Sequence, residues 1–72
     1  MLNQVETGLL IEERRRRIRE LLLESGRVTV EGLANRFGTS QVTIRADLSA
    51  LESAGMLTRT HGGALPREEE PD

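Results

Sequence analysis

The 72 residues are enough for one small domain, whose single core must pack efficiently, and too few for a multidomain enzyme. With no Cys, one His, one Phe and neither Trp nor Tyr, the sequence excludes a disulfide framework, a cysteine and histidine zinc cluster, and the stacked aromatics of single-strand binders. The formal net charge of −2 is unevenly placed: residues 67–72 hold four acids and one Arg, leaving nine Arg against eight acids before them, so local patches rather than the total govern binding.

Residues 1–10 carry no sustained apolar period and include Gly8, which reads as a flexible N-terminal arm. No run approaches the roughly 20 apolar residues of a membrane span. Leu9, Leu10 and Ile11 are too few for a signal-peptide core, so a cytoplasmic location is expected. A first helix is predicted over 11–25, where strong helix formers place Ile11, Ile18, Leu21 and Leu22 on one face before Gly26 stops it. The β-branched Val28, Thr29 and Val30 are too few for an ordinary strand but suit a short edge pairing.

Thr29 is also placed to cap a second helix, in which Val30, Leu33, Ala34 and Phe37 recur at i, i+3, i+4 and i+7 until Gly38. Gly32 stands where a capping box would put Glu or Gln. After Gly38 and Thr39, Ser40 caps a third helix, QVTIRADLSALESA, stopped by Gly55. Its buried side is Ile44, Leu48 and Leu51; its outer side presents Val42, Arg45, Ala46 and Ser49, flanked by Gln41 and Thr43. MLTRT and the residues after HGG then read as two short strands joined by a Gly62 and Gly63 turn. Residues 67–72, REEEPD, have no apolar side chain and read as an acidic linker or tail.

Two helices joined by a turn of three or four residues, the first short and the second polar on its outside, are the pattern of a helix-turn-helix motif, here about 28–47. Ala34 permits close approach of the helices, Gly38 lies in the turn and Ile44 anchors the second helix. The expected fold over 11–66 is mainly α: three helices of a winged helix-turn-helix with a short β wing of two or three strands.

From residue 13 to residue 64, about three quarters of the chain, the sequence resembles the DeoR family of bacterial repressors through ERRRRI, GRVTVEGLANRFGTSQVTIRADL and LESAGMLTRTHGGA. The most specific pieces are TIR-x-DL at residues 43–48 and RTHGGA at residues 59–64. Three positions depart from the family pattern: Ala46 replaces a second Arg, Thr39 a Val and Gly32 a Glu. The first departure alters the expected operator, because a methyl group stands where a guanidinium would reach guanine or phosphate.

A helix N-terminus carries free amides and the positive end of a dipole, so Ser40 and the first turn are expected to clasp a phosphate, setting register rather than sequence. Base reading is assigned to Gln41, Thr43 and above all Arg45, with Val42 and Ala46 set for thymine methyls. Arg45 could instead make a surface ion pair with Glu52 or Glu31. Arg59, Thr60, His61 and Gly62 are expected to press the wing on the backbone or into the minor groove. His61 lacks the nucleophile and orienting partner a catalytic base needs, and no enzymic role is expected. The arginines of 14–17 and Arg19 lie at helical spacings from Glu12, Glu13, Glu20 and Glu24 and mostly read as solvated pairs; only Arg14 is carried over from the resemblance as a phosphate contact.

The expected partner is therefore double-stranded operator DNA, without cofactor or metal. The resemblance implies a further C-terminal domain that senses a phosphorylated sugar or similar effector, and a homo-oligomeric full-length protein; with no dimer seam visible here, the isolated domain is expected to be monomeric. The competing reading is a winged-helix module that docks protein through the third helix and has lost DNA binding.

Overall fold

The computed structural model describes residues 4–67, with side chains from Leu10 onward. In chain order the elements are α1 (Gln4–Ser25), β1 (Val28–Thr29), α2 (Val30–Phe37), α3 (Gln41–Ser53), β2 (Leu57–Thr60) and β3 (Gly63–Pro66). The sheet order is β1-β3-β2 with both pairings antiparallel. Helix α1 begins at Gln4, not at Ile11: a single Gly8 costs only about 1 kcal/mol inside a helix, and the Gln, Glu and Leu residues around it favour continuation. The acidic tail expected over 67–72 lies, apart from Arg67, outside the described residues.

The caps form as the sequence dictates. Thr29 Oγ1 accepts from Gly32 N–H at 3.0 Å to start α2, and Ser40 Oγ accepts from Thr43 N–H at 3.1 Å to start α3. At the end of α2, Gly38 adopts a left-handed conformation, and its N–H bonds to the Ala34 carbonyl, as does that of Thr39 at 3.0 Å. The bend between the helices is thereby held from both sides.

The core joins all three helices to the sheet: Ile18 and Leu22 from α1, Val30, Leu33 and Ala34 from α2, Ile44, Leu48 and Leu51 from α3, and Leu57 and Ala64 from the strands. Leu21, Val28 and Phe37 pack half-buried against it, and Ile11 is likewise half-buried. Burying each Leu or Ile side chain is worth about 1.5–3 kcal/mol, so the α1, α2 and α3 contributions together fix the helices, with Phe37 the one aromatic residue beside them.

The hairpin corrects one expectation. Its two-residue turn is His61 and Gly62, because Thr60 pairs directly with Gly63, and only Gly62 takes positive φ (87°). Gly63 is needed for a different reason: it opposes Thr29 in β1, and a Cβ there would lie 2.1 Å from the Val28 carbonyl oxygen. Val30 N–H donates to the Gly62 carbonyl at 2.8 Å, so the start of α2 is bonded to the hairpin turn.

Candidate nucleic-acid interface

Helix α3 is buried along Ile44, Asp47, Leu48 and Leu51, and at 100° per residue this leaves Val42, Arg45, Ala46 and Ser49 on the opposite side. All four are exposed, Val42 at 73 %. Gln41 is exposed beside them, and Thr43 is half-buried at the flank. Arg45 pairs, among the described residues, with neither Glu31 nor Glu52; its Nη2 donates to Gln41 Oε1 at 3.1 Å, one turn back. That bond lays the guanidinium along the outer face with four of its N–H groups still to place.

Ser40 is exposed at the head of α3, but its oxygen is committed to the cap, and its hydroxyl donates to Thr43 Oγ1 at 3.0 Å. The amides of Gln41 and Val42 are the first two of the helix and have no intrahelical acceptor.

In the wing, Thr60, His61 and Gly62 are exposed, whereas Arg59 is half-buried. Arg59 lies on the same strand face as buried Leu57 and so points toward α3, while Thr58 and Thr60 point the other way. Its Nη1 donates to Ser49 Oγ at 2.8 Å, and its backbone N–H donates to Glu52 Oε2 at 3.0 Å. Strand β2 is thus stitched to the outer edge of α3 at two points.

Arg14 is not gathered with this face. Its Nε and Nη2 both donate to the Asp47 carboxylate, the latter at 3.0 Å, and Arg15 Nε donates to Asp47 Oδ1 at 2.9 Å. Asp47 is 1 % exposed, Arg14 18 % and Arg15 34 %. The hydrogen bonds to Asp47 raise the Arg14 pKa above its ordinary value, so the guanidinium stays charged throughout the working pH range. Arg14 therefore grips the back of α3 through this ion pair. Further along α1, Arg16 pairs with Glu13 at 2.5 Å and Arg17 with Glu20 at 4.0 Å, both exposed, which matches the solvated pairs expected there.

Sequence reasoning missed Asp47. The signal was available: Asp47 sits beside Leu48 and between Ile44 and Leu51 on the inward stripe, and a carboxylate at such a register must find cations. The helical wheel puts Ser49 on the outer face without a role, because its link to Arg59 spans ten residues and two elements. Among the described residues, no group of three or more His, Cys, Asp or Glu side chains could hold a metal, and no helix is long and apolar enough to cross a membrane.

A short helix and an outward-facing second helix joined across a capped turn, braced by a three-stranded hairpin sheet, define a winged helix-turn-helix protein. The chain belongs to the DeoR-like helix-turn-helix domain family, whose pattern it matches over residues 14–70. It is 48 % identical over 58 residues to the HTH-type transcriptional regulator GlpR of Haloferax volcanii, covering 81 % of this chain and 23 % of that protein. It is 54 % identical over 52 residues to a protein of Escherichia coli (strain K12) provisionally named a galactitol utilization operon repressor, covering 72 % of this chain and 46 % of the relative. It is 42 % identical over 53 residues to the lactose phosphotransferase system repressor of Lactococcus lactis subsp. lactis, covering 74 % and 21 %. The chain thus spans less than half the length of these relatives. No solved structure gives a significant match.

Proposed function

We infer that the chain binds double-stranded DNA sequence-specifically and serves a transcriptional repressor. The observation that carries this reading is the outer face of α3: Gln41, Val42, Arg45 and Ala46 all stand exposed, while Ile44 and Leu48 on the other side hold the helix in the core. An α-helix mounted in this way fits the major groove, which is about 12 Å wide. Arg45 reads guanine through its free N–H groups, with Gln41 steadying it and reading beside it. Val42 and Ala46 meet thymine methyls, and Thr43 reads from the flank. Ser40 and the first α3 amides hold a phosphate, and Arg59, Thr60, His61 and Gly62 bring the wing to the backbone or minor groove.

Relatives named for a lactose phosphotransferase system and a galactitol operon support a carbohydrate operon as the target. Control by an effector such as a phosphorylated sugar and assembly into oligomers are part of this reading, as are a non-catalytic role and a cytoplasmic location. The test is a gel-shift series against genomic fragments at two salt concentrations, where a DNA binder gives retention that weakens steeply with salt. Absence of retention on every fragment would refute the reading and favour a protein-docking role for α3.

A further inference from the structure

We propose that Ser49 and Arg59 together seat one backbone phosphate of the duplex, at the point where it passes from the reading helix to the wing. This rests on the DNA-binding reading and adds to it a contact residue, Ser49, outside the helix start and the hairpin.

Two independent observations meet here. Ser49 follows Arg45 by one helical turn on the exposed face of α3, so a duplex lying along that face meets the Ser49 hydroxyl beyond the last base-reading side chain. From the other side, the Arg59 stem runs along the core edge beside Leu57 and delivers its head to the same spot, with Nη1 2.8 Å from Ser49 Oγ. The second observation concerns what Arg59 leaves unmade. Its Nε is buried and, among the described residues, has no acceptor. A guanidinium has five N–H donors, and a serine hydroxyl is a small neutral partner for such a group. Glu52 Oε2 accepts from the Arg59 backbone N–H, and among the described residues no ion pair joins its carboxylate to the Arg59 guanidinium.

An oxyanion arriving at this edge draws the half-buried Arg59 head outward, which uncovers Nε and gives it an acceptor. Phosphate oxygens accept two parallel N–H bonds from one guanidinium in fork geometry, and the Ser49 hydroxyl, released as acceptor, turns to donate to the same phosphate. The contact is blind to base identity, because every nucleotide presents the same group there. It fixes how far α3 slides along the groove before the wing engages.

The test uses the chain as it stands, on two mixed-sequence duplexes of about 30 base pairs and equal composition but scrambled order, with affinity measured across a salt series. Ser49→Ala should weaken both duplexes equally, by about three- to tenfold, as expected for one hydrogen bond of about 1 kcal/mol net. Its melting temperature should stay level or rise, since Ala is the better helix former at an exposed position. Arg59→Gln keeps the backbone bond to Glu52, and should make the plot of log affinity against log salt shallower by about one unit, again equally on both sequences. The proposal is overturned if Ser49→Ala binds as wild type, if Arg59→Gln leaves the slope unchanged, or if either variant loses one sequence and not the other. Failure of the wild-type chain to bind either duplex removes the DNA-binding reading itself, an outcome separate from those three.

Discussion

Replacing Asp47 by Ala should be among the most damaging single changes to this domain that leaves its apolar core intact. The carboxylate is 1 % exposed and accepts three hydrogen bonds from two arginines, which tie α1 to the inner side of α3. Removing one partner of a fully buried ion pair costs about 3–5 kcal/mol, mostly because the remaining charge is stranded. Here the stranded groups are only partly covered, Arg14 at 18 % and Arg15 at 34 % exposure, so their heads can turn to water and recover part of that cost. A loss of about 2–4 kcal/mol is expected. For a domain of this size each kcal/mol moves the melting temperature by about 4–8 °C, so the midpoint should fall by roughly 8–32 °C. Thermal and urea denaturation followed by circular dichroism would measure it. The geometry also sets an order: Arg14→Ala, removing two bonds from the more buried cation, should cost more than Arg15→Ala, and a double-mutant cycle of Asp47→Ala with Arg14→Ala should show strong coupling. An Asp47→Ala midpoint within a few degrees of wild type, or equal costs for the two arginines, would refute the clamp.

Three further outcomes follow from the same structure. Arg14 carries a raised pKa in the fold, so its contribution is complete below the pKa of the unfolded chain and is lost only as pH climbs through the higher folded one; the stability gap between wild type and Arg14→Gln should be the same at about pH 7 and about pH 10 in urea titrations. Arg45→Ala should leave the melting temperature within a few degrees of wild type and reduce discrimination between a preferred site and its single-base variants by about 1–3 kcal/mol, read in competition binding. Gly63→Ala forces a Cβ against the Val28 carbonyl at 2.1 Å, so β1 must leave β3; a loss of about 2 kcal/mol or more is expected, with amide exchange at Val30 accelerated because its bond to Gly62 goes with the pairing.

Most of the architecture could be read from local chemistry. Thr29 and Ser40 cap helices because their short hydroxyls reach the third amide beyond them, and the recurrence of Val30, Leu33, Ala34 and Phe37 can be satisfied only by one buried stripe. Illegibility began where an outcome depended on partners far away in sequence. Asp47 finds Arg14 and Arg15 more than thirty positions back, and no local rule distinguishes those two arginines from Arg16 and Arg17 beside them. The role of Gly63 was misread as a turn requirement because two adjacent glycines look alike until the register of β1 is known. The early start of α1 was hidden by Gly8, whose propensity cost is small beside the summed preference of a long helix. For the reading face, the helical wheel sufficed to say which side chains point outward, but not that Arg45 lies on Gln41 or that Arg59 reaches across to Ser49.

The two-residue strand β1 has a mechanical consequence out of proportion to its length. It is followed without a gap by α2, and Val30, the first residue of that helix, is bonded to the Gly62 carbonyl at the very tip of the hairpin. The hairpin is therefore rigged to both members of the motif, to α2 through this tip bond and to α3 through Arg59, in the way a tiller is fixed to a rudder post. On the proposed DNA-binding reading, a duplex that pushed the tip aside would act on both helices through these bonds, coupling groove width at the wing to helix angle in the neighbouring groove.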